Sequence, residues 1–126
     1  MSDLKESDPQ DSSDNAETVV LLSGDLIFAS RVRAAAQNAG YAFKLSGALP
    51  EIESIKFVIV DLSTRSGLLE QLMDYRDRVC PNAITVAYGP HVQEKPLELA
   101  KQIGVQKVMT RGQFDRSLAT LFTAST

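Results

Sequence analysis

The sequence predicts an α/β fold in which a parallel sheet is covered by helices on both faces. From Thr18 onward, short apolar runs alternate with stretches whose apolar residues recur at helical spacing. Two of the runs, 18–22 and 57–60, are apolar at nearly every position, as expected of parallel strands that are buried on both faces. The length of 126 residues fits one domain with a sizeable core.

Five apolar segments are predicted to form the strands, at 18–22, 41–45, 57–60, 83–88 and 105–109. The second and fifth segments carry Lys44 and Lys107, which suits strands at the edges of the sheet. A strand order of 2-1-3-4-5 places these two segments at the edges, and it is the order of the flavodoxin-like doubly wound fold. Ligands of such sheets bind at the carboxyl ends of the strands, so the residues that follow each strand are the candidate site.

The segments between the strands carry helix signals. Asp25 is placed to cap the first helix, and Gly40 is placed to end it. Ser66 is placed to cap a later helix that Pro81 ends. The segment 46–55 contains a proline and leaves room for at most one or two turns, so the second helix is expected to be short. Two further helices are predicted at 96–103 and 114–122.

The charge is distributed unevenly along the chain. Residues 1–17 hold six acidic residues and one lysine, giving −5, and the other 109 residues hold ten acidic and twelve basic residues, giving +2. We predict that 1–17 is a disordered acidic tail and that 18–126 is the folded domain. The alternative is that the tail is a recognition segment or a linker. The body has no dense stripe of Lys and Arg, so nucleic-acid binding is not expected.

Several classes of site and location are disfavoured by composition. No apolar run approaches the length that spans a membrane, and the N-terminus lacks the apolar core of a secretory signal. The single cysteine, Cys80, excludes an internal disulfide, so a reducing, cytoplasmic setting is predicted. With one cysteine and one histidine, His91, the chain has no clustered zinc site of the usual kind.

Several stretches of the sequence resemble the receiver domains of response regulators. The resemblance covers about residues 18–122 and implies a CheY-like fold and a role in two-component signal transduction or a phosphorelay. The similar stretches are LLSGD at 21–25 running on to AGY at 39–41, VIVDL at 58–62, AYGPH at 87–91, and AKQIGVQKVMTR at 100–111.

The resemblance also implies a site, and this sequence departs from its pattern. In receivers, two acidic residues after strand 1 bind Mg²⁺ together with the phosphoacceptor aspartate, but Ser23 and Gly24 stand there. Asp61 keeps the position of the phosphoacceptor. Gly89 replaces the Ser or Thr that ends strand 4, and Arg111 replaces the lysine that ends strand 5. The chain is therefore predicted to be a degenerate member, a pseudo-receiver.

These departures predict that Mg²⁺ binding is lost, because Mg²⁺ is held mainly by carboxylate oxygens. Asp25 is one position further along and suits a helix cap better than a metal ligand. Asp61 then has three interpretations: a working phosphoacceptor, an unpaired solvated carboxylate, or a structural residue paired with Arg111. We expect the pair, with Gly24 and Gly89 leaving space between the two side chains.

The predicted function is a stand-alone, receiver-like signalling module that binds a protein partner without Mg²⁺-dependent phosphorylation and without catalysis. The resemblance implies that the partner contacts helix 4, strand 5 and helix 5, and a weak homodimer is a further expectation. One alternative is a conventional response regulator that is phosphorylated on Asp61. The other is a small flavodoxin-like ligand binder or enzyme with a pocket lined by His91, Asp61 and Arg111, although no catalytic partner can be assigned to His91.

Overall fold

A computed structural model describes residues 16–123 of the chain. Its strands form one five-stranded parallel sheet in the order β2-β1-β3-β4-β5, which confirms the predicted fold class and strand order. Residues 1–15 lie outside the described part, so the disorder predicted for the acidic tail stays a prediction. The strands are β1 Thr18–Leu22, β2 Ala42–Ser46, β3 Ile55–Asp61, β4 Ile84–Gly89 and β5 Lys107–Thr110.

Helices cover both faces of the sheet, and each face has its own apolar core. On one face, Phe28 and Val32 of α1 meet Phe114 of α5. On the other face, Leu72 of α3 and Ala100 of α4 pack against the sheet. The helices are α1 Leu26–Asn38, α2 Leu62–Arg65, α3 Leu69–Val79, α4 Glu94–Ile103 and α5 Arg111–Leu121. No helix within 16–123 is long and apolar enough to cross a membrane.

The short second helix that was predicted between β2 and β3 is absent. Residues 47–54 form no helix, because the connection is too short for a crossover helix and contains Pro50. Leu49 and Ile52 pack against the core in its place, and the Tyr75 hydroxyl donates a hydrogen bond to the Pro50 carbonyl oxygen at 2.5 Å. Ser54, with a φ of 61°, then turns the chain into β3.

Capping explains where the helices begin. Asp25 caps α1 as predicted, since its side chain accepts a hydrogen bond from the Phe28 amide at 3.0 Å. The predicted cap at Ser66 is not formed, because α3 begins at Leu69 and has no side-chain cap. Helix α2 begins directly after β3 because Asp61 caps it, and a 3₁₀ turn at Ser66–Leu68 joins α2 to α3. This early start places α2 over the carboxyl ends of the central strands.

Candidate functional site

Asp61 lies at the carboxyl end of β3, and both of its carboxylate oxygens accept hydrogen bonds. Oδ2 accepts from Ser23 Oγ at 2.7 Å and from Thr64 Oγ1 at 2.9 Å. Oδ1 accepts from the Ser63 amide at 3.0 Å. The residue is only 1% exposed to solvent. Asp61 is thus a buried carboxylate that accepts hydrogen bonds from three donors. It is neither paired with Arg111 nor solvated, which were two of the interpretations that the sequence allowed.

The two hydroxyl groups that bind Asp61 also hold the loop after β1. Thr64 Oγ1 accepts a hydrogen bond from the Gly24 amide at 2.9 Å, and Ser23 Oγ accepts one from the Asp25 amide at 2.9 Å. Each hydroxyl therefore donates to the carboxylate and accepts from the backbone. We call the side chains of Asp61, Ser23 and Thr64, with the amides that they bind, the Asp61 network. It joins the ends of β1 and β3 to helix α2.

The glycines do not leave open space around Asp61, contrary to the prediction. A Cβ atom on Gly89 would lie 3.1 Å from Leu62 Cβ, so the first residue of α2 fills the space over the end of β4. A Cβ atom on Gly24 would lie 3.3 Å from Arg65 Nη1, and one on Gly47 would lie 3.3 Å from Arg65 Nη2. The Arg65 guanidinium thus lies between the loops that follow β1 and β2.

Arg65 is held by few hydrogen bonds of its own. Its Nη1 donates to the carbonyl oxygen of Thr64 at 2.8 Å, whereas its Nε is buried without a hydrogen-bond partner among the described residues. Gly24 and Gly47 let the guanidinium pack closely against both loops, because a Cβ atom at either position would lie 3.3 Å from it. Arg65 therefore fills the space between the loops after β1 and β2, at the carboxyl end of the sheet.

The predicted pair between Asp61 and Arg111 is wrong. Arg111 begins α5, which packs beside α1, and its Nη2 donates to Asp25 Oδ2 at 3.1 Å. Its guanidinium also lies over the Phe28 ring, 4.3 Å from the ring centroid. The Phe28 amide hydrogen bond holds the pKa of Asp25 below its ordinary value, and Arg111 lowers this pKa further. Arg111 therefore lies at the cap of α1, away from Asp61.

Tyr88 is a buried neighbour of the site that the sequence did not single out. Its position in β4 is in register with Asp61, and its ring stacks on Phe114 with 4.3 Å between centroids. Burial raises the pKa of its hydroxyl, and the nearby Asp61 charge raises it further. The hydroxyl lies beside Ser23 but makes no hydrogen bond of ordinary geometry within the described residues. An apolar pattern such as AYG in a strand indicates a core position, so it gave no signal of a neighbouring carboxylate.

His91 lies outside this arrangement. It is exposed in the loop after β4. Four depressions of 340–450 Å³ on the described surface are lined by other residues, so none of them brings His91 and Asp61 into one pocket. No group of three or more potential metal-ligating residues (His, Cys, Asp or Glu) is formed within 16–123.

A phosphoryl transfer to Asp61 would need a free carboxylate oxygen in line with the phosphorus atom and a cation to neutralise the charge. The structure presents a carboxylate whose two oxygens are occupied by hydrogen-bond donors. Leu62 packs against Gly89 at the end of β4, and the Arg65 guanidinium packs against Gly24 in the loop after β1. The arrangement suits a structural cap and a rigid join between loops better than it suits a nucleophile.

No protein-family model and no curated protein matches the chain. The fold is similar to the crystal structure of a response regulator receiver domain protein (CheY-like) from Methanospirillum hungatei JF-1, with a TM-score of 0.67 and 11% sequence identity. The similarity covers 86% of this chain and 92% of that one. At this identity the similarity shows the fold alone, and the chain has the CheY-like, flavodoxin-like architecture that the strand order predicts.

Proposed function

We propose that the chain is a receiver-like signalling module that acts by binding another protein, without Mg²⁺-dependent phosphorylation of Asp61. The observation that carries this proposal is the Asp61 network. A buried carboxylate that already accepts three hydrogen bonds is stabilised as a fixed structural group. No catalytic role is proposed for it.

The hydrogen-bond donors of the Asp61 network stabilise the negative charge of Asp61, which is the role that Mg²⁺ has in receivers. In receivers, Mg²⁺ balances the charge of the acceptor aspartate. Here the donors that balance it are the hydroxyls of Ser23 and Thr64 and the Ser63 amide. Ser23 stands where receivers carry an acidic ligand, and its hydroxyl is directed at Asp61 as a donor. Displacing these donors would cost about 1.5–3 kcal/mol for each hydrogen bond to a charged group. Mg²⁺ binding is therefore not expected.

The partner surface in this proposal is the face formed by α4, β5 and α5, by analogy with receivers. Three features of this chain support it. β5 is an edge strand whose outer backbone groups face no neighbouring strand of the sheet. Leu99 of α4 is 43% exposed, and Val92, just before α4, is 75% exposed. Exposed apolar side chains beside an open strand edge are typical of protein-binding surfaces. The same face would serve a weak homodimer.

The proposed absence of Mg²⁺-dependent phosphorylation is tested by an NMR titration of the full chain with Mg²⁺ and beryllofluoride, which stands in for a phosphoryl group. We expect the amide signals of Ser23, Asp61 and Thr64 to be unchanged at millimolar concentrations, while a conventional receiver in the same buffer responds. Saturable shifts at these three residues would overturn the proposal and favour the phospho-accepting alternative.

The partner surface is tested with two matched variants that place a charge on an exposed apolar side chain. Leu99→Glu changes the α4 surface, whereas Ile27→Glu changes α1, where the side chain is 87% exposed. In affinity isolation from the native source, the wild-type chain and Ile27→Glu should retain the same specific protein, and Leu99→Glu should lose it. Equal retention by Leu99→Glu would show that this face does not bind the partner.

A further inference from the structure

A groove lies between β5 and the second half of α5. Its volume is 340 Å³. Apolar side chains form much of its lining, and Lys107 at its rim is exposed and forms no ion pair within 16–123. None of its described lining residues is acidic. We call it the α5 groove; it is lined by Phe57, Ile84, Lys107, Met109, Ser117, Thr120 and Leu121.

The groove suits a ligand that combines an apolar side chain with carboxylates. Its apolar lining would bury an aliphatic group, and Lys107 would attract an acidic one. The depression between α1 and α5 is less suitable, although its volume of 360 Å³ is similar. The arginine that lines that depression, Arg31, is already paired with Asp115 at 2.5 Å. The α5 groove thus offers an available cation, and the other depression does not.

The chain itself contains a segment with this chemistry. Residues 1–15 hold five acidic residues and one lysine, giving −4, whereas residues 16–123 hold eleven acidic and twelve basic residues, giving +1. Within this acidic segment, the sequence DLKE at 3–6 places Leu4 between Asp3 and Glu6. Besides Met1, Leu4 is the one large apolar residue of the segment.

The segment is long enough to reach the groove. Ala16 precedes β1 at the amino end of the sheet, and Phe57 and Ile84 lie at the same end, level with Val19. Three strand spacings separate β1 from β5, which is roughly 15 Å. The twelve residue-to-residue steps from Leu4 to Ala16 span up to about 40 Å when extended. Leu4 can therefore reach the α5 groove with slack remaining.

We propose that residues 3–6 dock in the α5 groove, with Leu4 against its apolar lining and the flanking carboxylates beside Lys107. Residues 7–15 then serve as the connecting linker. The docking does not depend on the proposed function. Its consequence does: because the groove is formed by β5 and α5, the docked segment shields part of the proposed partner surface.

The test uses NMR spectra of the full chain and a full-length tail variant, Asp3→Asn with Leu4→Ser and Glu6→Gln. At about 0.02 M salt, the amide signals of Lys107, Met109, Ser117 and Thr120 should differ between the two proteins. The difference should shrink at about 0.5 M salt, where charge interactions are screened within a few ångströms. Lys107→Glu should abolish the difference. The matched control Lys44→Glu, on the opposite edge strand, should preserve it.

Identical groove signals in the wild-type chain and the tail variant would overturn the proposal. The same is true if Lys44→Glu acts like Lys107→Glu, because the effect would then be one of net charge. Groove shifts that grow with protein concentration would assign the groove to a second copy of the chain, which also contradicts docking of residues 3–6. These signals are separate from those of Ser23, Asp61 and Thr64, so failure of the docking and failure of the proposed function are told apart.

Discussion

The Asp61 network predicts that Asp61 is energetically coupled to Ser23 and independent of Arg111. Ser23→Ala removes a 2.7 Å hydrogen bond to a buried carboxylate. Hydrogen bonds to charged groups contribute about 1.5–3 kcal/mol. The Asp25 amide also loses its acceptor, which adds about 1 kcal/mol. We therefore expect Ser23→Ala to lower the free energy of unfolding by about 2.5–4 kcal/mol. Asp61→Ala should cost more, because it removes all three hydrogen bonds to the carboxylate and with them the cap of α2.

The assay is a double-mutant cycle measured by urea unfolding. Asp61→Ala with Ser23→Ala should be less destabilised than the sum of the single variants by about 1.5–3 kcal/mol, the contribution of the shared bond. The control cycle of Asp61→Ala with Arg111→Ala should be additive within about 0.5 kcal/mol. Asp61→Asn provides a milder variant if Asp61→Ala does not fold. Additivity with Ser23 together with coupling to Arg111 would refute the reasoning.

Three further results are expected. Gly89→Ser should lower the free energy of unfolding by about 1–3 kcal/mol through overpacking, because its Cβ atom would lie 3.1 Å from Leu62 Cβ. The control Gly67→Ser should be near neutral, because a Cβ atom there meets no atom within 4 Å. Equal urea midpoints for the two variants would contradict this. Burial raises the pKa of Tyr75 from 10.0 to about 12. The stability that its neutral hydroxyl contributes is therefore present below pH 10 and is lost as the pH rises from 10 to 12. In urea melts across this range, Tyr75→Phe should lose less of its free energy of unfolding than the wild-type chain does. The pKa of Asp25 is lowered from 3.8, so its contribution is present above pH 3.8 and lost as pH falls below it; Asp25→Asn should flatten the acid side of the stability profile, and an unchanged profile would count against the cap.

The fold was predictable because its signals are local and repeated. The apolar runs at 18–22 and 57–60 marked the central strands, and both are buried on both faces. Lys44 and Lys107 marked the edges, since an edge strand is the place in a parallel sheet where an exposed cation costs little. Asp25 marked a helix start because the geometry of an N-cap depends on a few adjacent residues.

The partner of Asp61 was not predictable in the same way. The sequence placed Asp61 and Arg111 at the ends of strands, but strand order does not determine where a long side chain points. Arg111 begins a helix that packs beside α1, so its guanidinium reaches Asp25 and Phe28. Thr64 reaches the carboxylate because Asp61 caps α2, which brings the Thr64 hydroxyl back over the start of the helix.

The connection between β2 and β3 and the position of Arg65 depended on tertiary packing. Pro50 and the short length of the segment signalled that little helix could form, but not that Leu49 and Ile52 would replace it on the core. The Arg65 guanidinium packs against Gly24 and Gly47, which lie in two loops that are distant in sequence. A contact of this kind among three segments has no signature in any one of them.

We propose that Asp61 is a structural residue and does not accept a phosphoryl group. The most direct measurement is intact-protein mass spectrometry after incubation with acetyl phosphate and Mg²⁺, followed by peptide mapping of residues 57–65. The Asp61 network predicts that the chain keeps its unmodified mass under conditions that phosphorylate a conventional receiver. A phosphoryl adduct that maps to Asp61, and that is absent from Asp61→Asn, would contradict it.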